Sequence, residues 1–196
     1  MEREDPSARM SSRGQARPAD LFTNPLNFIA EDHMREREIC AMIDAIATND
    51  VPNEADCAAV AAFLRYQLPR HLEDEELDLF PMMLARCDPE DNIGPVIEKL
   101  RLDHGHAAVD TPEILLELDD EAAIKTGFDD VAGARLLAFA SHSRRHLILE
   151  NAIILPIARA RLTAKDLKLM RQHMLERRGL DVLLDRFAPP QQTNDD

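Results

Sequence analysis

One segment of this chain occurs twice, and this repeat restricts the possible folds more than any other feature. Residues 70–86 read RHLEDEELDLFPMMLAR and residues 145–161 read RHLILENAIILPIARAR, with seven identical residues in the same register. Each copy contains His-x-x-x-Glu, and residues four apart lie on one face of an α-helix. An imidazole nitrogen beside a carboxylate oxygen suits a transition metal. The repeat therefore predicts two helices that supply half of a dinuclear metal site. The candidate ligands are His71 and Glu75 in the first copy and His146 and Glu150 in the second.

A single His-x-x-x-Glu pair is commonly a side-chain pair on the solvated face of a helix. Two observations oppose that interpretation here. The pattern is duplicated in identical register, and the second copy is surrounded by apolar residues such as Leu147 and Ile154. A carboxylate buried among them without a partner would cost several kcal/mol or take up a proton, and a bound cation removes that cost. We therefore expect the chain to bind two metal ions in its interior.

The composition favours an acidic, helical domain. The 196 residues are enough for one domain with a core, and the apolar residues are mostly the helix formers Ala, Leu, Ile and Met. A formal net charge of −14 disfavours binding to a nucleic-acid backbone or an anionic membrane surface. No run approaches the ~20 apolar residues of a membrane span. Three isolated cysteines do not form the pattern of a disulfide framework or a zinc ribbon, and they favour a reducing, cytoplasmic compartment.

Turns and capping residues divide the chain into helices. Residues 1–20 lack apolar periodicity and are rich in charge, Ser, Gly and Pro, so we expect a disordered arm. The helical domain is predicted over residues 21–187 and a tail over residues 188–196. Within the domain, helix A begins at Asn24–Pro25, helix B covers about 54–86, helix C follows 88–91, helix D covers about 128–161, and a last helix runs from Thr163 to about Arg178. Helix C is predicted to end or kink near Thr111–Pro112, because the residue before Pro disfavours the helical region.

Two single histidines, His33 in helix A and His104 in helix C, complete the predicted site. The chain reverses near Pro52, Pro89 and Lys125, and each of these positions lies halfway between candidate ligands of consecutive helices. Because a helix rises ~1.5 Å per residue, arms of equal length bring all the ligands to one level. The sequence thus predicts an all-α, up-down-up-down four-helix bundle with a dinuclear metal site in its core, plus an additional C-terminal helix.

Four further residues are candidates for positions around the metals. His142 lies one helical turn before His146, and two interpretations stay open. It hydrogen-bonds a ligand or lines the access path, or it is a packed helix-face histidine. Gln67 is its counterpart in the first copy, and Asp103 and Tyr66 are weaker candidates for the same roles.

Other polar and proline residues near the motif are given surface or structural roles. His106, ~200° around the helix from His104, and His173 are predicted to lie at the surface. The acidic residues around Glu75 are predicted to form a solvated face, with attraction of cations toward the site as the alternative; they are Glu73, Asp74, Glu76 and Asp78. Three prolines are interpreted either as tolerated kinks or as a local widening that admits metals and a small ligand; they are Pro69, Pro81 and Pro156.

On these motifs the chain resembles the hemerythrin-like, or HHE cation-binding, family over roughly residues 21–161. The phrases HLEDEELDLFP and HLILENAIILP are similar to its signature, and the six ligands occur in its order. The resemblance implies a pair of non-haem iron ions (Fe²⁺/Fe³⁺) with an oxo or hydroxo bridge. It also implies that Glu75 and Glu150 bridge the irons, that His33 and His71 bind one iron, and that His104 and His146 bind the other.

The chain departs from oxygen-carrying hemerythrins at two positions. Those proteins have a further histidine where this chain has Ala108, and an aspartate where it has Asn151. The chain is more similar to the branch linked to nitric-oxide and oxidative stress and to repair of iron centres. Two hypotheses remain open. The first is a cytoplasmic di-iron protein that binds or reacts with O₂, NO or peroxide at an open iron position, with enzymatic turnover undecided. The second is a sensor or iron-handling module whose last helix docks a protein partner or a second copy.

Overall fold

The computed structural model describes residues 23–180, and regular structure in this range is entirely helical. The all-α prediction is confirmed. Helix α1 is Pro25–Thr48, and helix α2 covers 54–86 as the consecutive segments Glu54–Ala62, Phe63–Gln67, Leu68–Asp74, Glu75–Leu79 and Phe80–Arg86. After a short 3-10 turn, Pro89–Asp91, come helix α3 (Ile93–Leu118) and the short helix α4 (Glu121–Thr126). Helix α5 covers 130–161 as Asp130–Leu149, Glu150–Ile154 and Leu155–Arg161, and helix α6 is Ala164–Arg177. The predicted arm and tail, residues 1–20 and 188–196, lie outside the described residues.

Side-chain caps fix where the helices begin. The Asn24 side chain accepts the backbone N–H of Leu26 at 2.9 Å, with Pro25 in the first helical turn. Asp129 likewise caps α5. Thr163 and Asp166 form a reciprocal capping box at the start of α6. The predicted starts of the first and last helices are confirmed.

The four long helices pack in a ring, α1 against α2 and α5, and α3 against the same two neighbours. Their inward residues form two apolar clusters. The first includes Ile29, Leu79, Leu100 and Ile154, and the second includes Cys40, Leu68, Ile114 and Ala140. In each helix the candidate metal ligands lie between its members of the two clusters. The ligand layer is therefore closed by apolar side chains on both sides.

The C-terminal helix α6 packs on the outside of α1 and α2 and buries Met170, Met174 and Leu175. Ion pairs also join it to the bundle. Arg177 Nε donates to Asp74 Oδ1 at 2.8 Å, and Arg178 Nη2 donates to Asp74 Oδ2 at 2.6 Å.

The same ion pairs correct two sequence predictions. Asp74 and Asp78 are buried, so the predicted solvated acidic face is wrong at these two residues. His173 is not simply exposed, because its ring is half-buried and lies 2.6 Å from Asp78. The partners of Asp74 and Asp78 in helix α6 lie about one hundred residues further along the chain. Local sequence patterns cannot predict contacts over such a separation.

Helix α3 does not end at Thr111–Pro112, so that part of the prediction is wrong. It continues through Pro112 to Leu118. A proline removes only one backbone donor, and the Thr111 hydroxyl donates to the carbonyl of Ala107 at 2.7 Å. No helix within residues 23–180 is long and apolar enough to cross a membrane.

Candidate metal centre

Both motif glutamates lie at the start of a π-helical turn. The turns are Glu75–Leu79 and Glu150–Ile154, and in each the glutamate carbonyl accepts the backbone N–H five residues later. Pro81 and Pro156 follow these glutamates by six residues. Because a proline lacks an N–H and its ring clashes with the carbonyl four residues back, a wider turn relieves the clash. π turns inside α-helices are frequent at functional sites. Pro69 follows the π turn Phe63–Gln67, which carries none of the six ligands, in the same way. All three prolines therefore accompany a wider helical turn, and that the widening admits metals and a small ligand stays a prediction.

The six candidate ligands converge in the interior, and all six are buried. On one side, His33 Nε2 lies 3.2 Å from Glu150 Oε2 and 3.5 Å from Glu75 Oε1. His71 Nε2 lies 3.7 Å from the same Glu75 oxygen.

The other two histidines face the opposite oxygens of the same carboxylates. His104 Nε2 lies 3.4 Å from Glu75 Oε2, and His146 Nε2 lies 3.1 Å from Glu150 Oε1. The two Nε2 atoms are 3.2 Å apart. Each carboxylate therefore turns one oxygen toward each pair of histidines, and the two sets of four ligands share both glutamates. This arrangement can hold two cations with both carboxylates between them.

The donor atoms themselves indicate that a cation belongs here. Several are buried and have no hydrogen-bond partner within the described residues, namely both ring nitrogens of His33 and His71, Nδ1 of His146, and both carboxylate oxygens of Glu75 and Glu150. Leaving a buried polar group unpaired costs about 1–3 kcal/mol, and more for a charged group. Metal ions bound by Nε2 of His33 and His71 and by the glutamate oxygens would satisfy these atoms, so the residues fit the cofactor that the sequence predicts.

Burial and mutual charge shift the pKa values of the ligands in opposite directions. Burial lowers the pKa of His71 to about 3. Burial also acts against protonation of His33 and His104, but Glu75 and Glu150 together outweigh it and raise both pKa values. Burial and the charge of Glu75 raise the pKa of Glu150 well above its usual range. Without metal, some of the ligand atoms that would bind a cation therefore carry protons instead.

A second layer of acidic residues contacts the other ring nitrogens, and it differs between the two halves. Glu76 Oε1 accepts from His104 Nδ1 at 2.8 Å, and Asp103 Oδ2 lies 3.6 Å from His146 Nδ1. Asp32 Oδ2 lies 3.8 Å from His71 Nδ1 and also pairs with Arg35. Carboxylates at these positions orient metal-binding histidines and raise their basicity.

The four residues predicted to support or surround the metal ligands differ in whether the structure places them at the site. Asp103 is buried against His146 as described, and His142 Nε2 lies 3.3 Å from its other oxygen. Burial lowers the pKa of His142, which keeps its ring neutral. Gln67 is half-buried. Tyr66 is 58% exposed, which does not fit a hydrogen bond to a buried ligand.

Sequence reasoning missed three polar residues at the site, namely Asp32, described above, Glu36 and Glu76. Glu36 follows His33 by one turn and is buried, and burial raises its pKa against the opposing charges of His146 and His33. Its signal was the interruption of the apolar stripe of the first helix. Glu76 was assigned to the solvated face, although it supports His104; no feature of its neighbours in sequence separates it from the exposed Glu73.

A four-helix bundle with buried histidines and glutamates at mid-height defines a helical metal-binding protein. Residues 24–158, well over half of the chain, match the hemerythrin HHE cation binding domain. The chain therefore belongs to the hemerythrin HHE family. A search of curated proteins gives no match to it.

Proposed function

We propose that this chain is a non-haem di-iron protein that binds or reacts with O₂, NO or peroxide at an open iron position. The observation that carries the proposal is the pair of ligand sets that share Glu75 and Glu150. Each set offers two imidazoles and two carboxylate oxygens. Histidine and carboxylate ligands with open positions are typical of non-haem iron that handles oxygen.

Family membership supports iron as the metal, and the donor set agrees with it. The described residues place no cysteine in either set, which disfavours a soft thiolate site. When bound, the iron pair would supply open coordination positions and a change of oxidation state. The protein orients His104 through its hydrogen bond to Glu76, Asp103 lies near the ring of His146, and the two apolar clusters keep water from the ligand layer.

The ligand count favours the stress-response and iron-centre-repair branch over oxygen carriage. Helix α3 offers one ligand, His104, and Ala108 one turn later is exposed. Asn151, at the other departure, donates to the Leu147 carbonyl at 2.6 Å instead of offering a carboxylate. Two histidines on each side leave both irons short of six ligands, so both can take a small ligand.

The experiment is a spectroscopic titration of the full chain. Protein loaded anaerobically with iron is analysed for metal content and then examined by absorption and Mössbauer spectroscopy before and after azide, NO or O₂. We expect two irons per chain and a spectrum that changes with at least one of the three. Full iron occupancy with a spectrum indifferent to all three would overturn the proposal, because the site would then be closed and structural.

The alternative of a partner-docking sensor or iron-handling module stays a prediction. The buried apolar residues of α6, which include Met170 and Met174, already pack against the bundle. This use of the helix within the chain does not favour the alternative.

A further inference from the structure

A second cluster of metal-binding side chains lies beside the buried centre and nearer to solvent. Asp103 and His106 are three residues apart on helix α3, and His142 faces them from helix α5. The potential ligand atoms of these three residues all lie within 4.8 Å of one another. Asp103 is buried, His142 is half-buried and His106 is exposed, so the cluster leads from the surface inward.

The ligand chemistry of the cluster is that of a site for a borderline divalent ion. Two imidazoles and one carboxylate are a common set for zinc and for ferrous iron. Ligands on one ion lie at most about 4.2 Å apart, since each bond is ~2.1 Å long. The rings of His106 and His142 have centroids 5.7 Å apart and stand edge to face. The present separations, all within 4.8 Å, exceed that limit by about 0.6 Å at most, and the ring of His106 is exposed and free to turn toward the other two ligands.

The contacts in the cluster leave one nitrogen unsatisfied. His142 Nε2 is buried without a hydrogen-bond partner, although Asp103 Oδ1 lies only 3.3 Å away. An ordinary histidine–carboxylate pair would use that nitrogen as a donor. Lys99 Nζ also reaches Asp103, at 3.0 Å, but its side chain is 63% exposed and can return to water when a cation arrives.

We propose that Asp103, His106 and His142 form a third metal site, which binds one divalent transition ion more weakly than the buried centre does. Its ligands belong to neither of the two buried sets. Asp103 connects the sites, because its second oxygen lies 3.6 Å from His146 Nδ1. An ion bound at the third site would draw this carboxylate away from His146. Binding at one site would therefore change the metal affinity of the other.

The test is equilibrium dialysis of the metal-free full chain against Zn²⁺, with metal analysis and a His106→Asn variant. His106 contributes to no buried set, so the variant keeps the inner ligands intact. We expect His106→Asn to bind one ion fewer than the unaltered chain at saturation. His173→Asn is the matched control, because His173 is the single histidine outside all three ligand sets; it should bind as many ions as the unaltered chain.

A Glu150→Ala variant separates this inference from the di-iron proposal, since it disables the buried centre and leaves the outer cluster. We expect it to retain one Zn²⁺ that is lost when His106→Asn is added. The ring NMR signals of His106 and His142 should move together during that binding. Equal binding by the unaltered chain and His106→Asn would overturn the third site, as would ring signals that do not move. A chain that binds a single ion, lost in His106→Asn, would support the outer site and overturn the buried one.

Discussion

Replacement of Glu76 by Gln tests how far a residue outside the ligand set controls the metal. Glu76 divides its two oxygens between His104 Nδ1, at 2.8 Å, and Arg101 Nε, at 3.0 Å. A Gln side chain keeps the size and one acceptor but removes the charge that makes the imidazole more basic. Loss of such a supporting partner typically weakens metal affinity ~10–100-fold, which corresponds to about 1.4–2.7 kcal/mol.

The effect should fall on one ion of the pair. His33, on helix α1, belongs to the other set of ligands, and its Nδ1 has no hydrogen-bond partner among the described residues. That set therefore has no equivalent of the Glu76–His104 hydrogen bond at His33. Competition of metal-free protein with a chromophoric chelator for Zn²⁺ measures both binding steps. We expect Glu76→Gln to weaken one step by the stated factor and to leave the other unchanged.

Glu73→Gln is the matched control, because it removes the same charge from the same helix at an exposed position. If Glu73→Gln weakens binding as much as Glu76→Gln does, the cause is the net charge of the protein and not the contact with His104. A loss spread equally over both steps would likewise refute the reasoning.

Three other outcomes follow from the site and the last helix. Glu150→Ala should abolish binding of both ions of the buried pair by metal analysis, because its two oxygens face different histidine pairs, and only an ion at the outer cluster should remain. The raised pKa values of His33 and His104 stabilise the metal-free fold below about pH 6.5, the value in the unfolded chain, and this contribution is lost as the pH rises through the folded values. Calorimetry should therefore show the Tm of metal-free protein falling as the pH rises above that value. The Tm of Zn²⁺-loaded protein should rise over the same pH range, because metal has displaced the protons. Arg178→Met should lower the free energy of unfolding by ~2 kcal/mol in urea titrations, because the fully buried Asp74 loses a charged donor.

Much of the fold was predictable because its main signals are local. Caps such as Asn24 and Thr163 act on the residues next to them, and they mark helix starts in the sequence as they do in the structure. The repeated His-x-x-x-Glu pattern and the equal arms between turns also placed six side chains at one level, and the structure brings these side chains together. Whether they bind two irons stays a prediction.

Apart from the helix end predicted at Thr111–Pro112, the errors concern contacts between distant parts of the chain. Asp74 and Asp78 looked like members of a solvated acidic run, because their partners Arg177 and Arg178 follow about one hundred residues later. Glu36 looked like an interruption of an apolar stripe, since one of the two histidines that it faces, His146, comes from another helix. Local periodicity predicts which face of a helix a residue occupies. It does not predict which residues of other helices pack against that face.

The π turns at Glu75 and Glu150 interrupt helices α2 and α5 at the metal layer, so the residues before and after each glutamate follow different helical phases. Each turn inserts one extra residue, which rotates everything after it by about 100° relative to an uninterrupted α-helix. Phe80 and Met83, both fully buried, are placed in the first apolar cluster by that rotation. Deleting one residue between Glu75 and Pro81 would swing them out of the core while leaving His71 in place. Each bridging glutamate lies where the helical phase changes. Substitutions or deletions after it can therefore reposition the core residues without moving the histidine before it. An alignment to an uninterrupted α-helix would place either the ligands or these core residues on the wrong face.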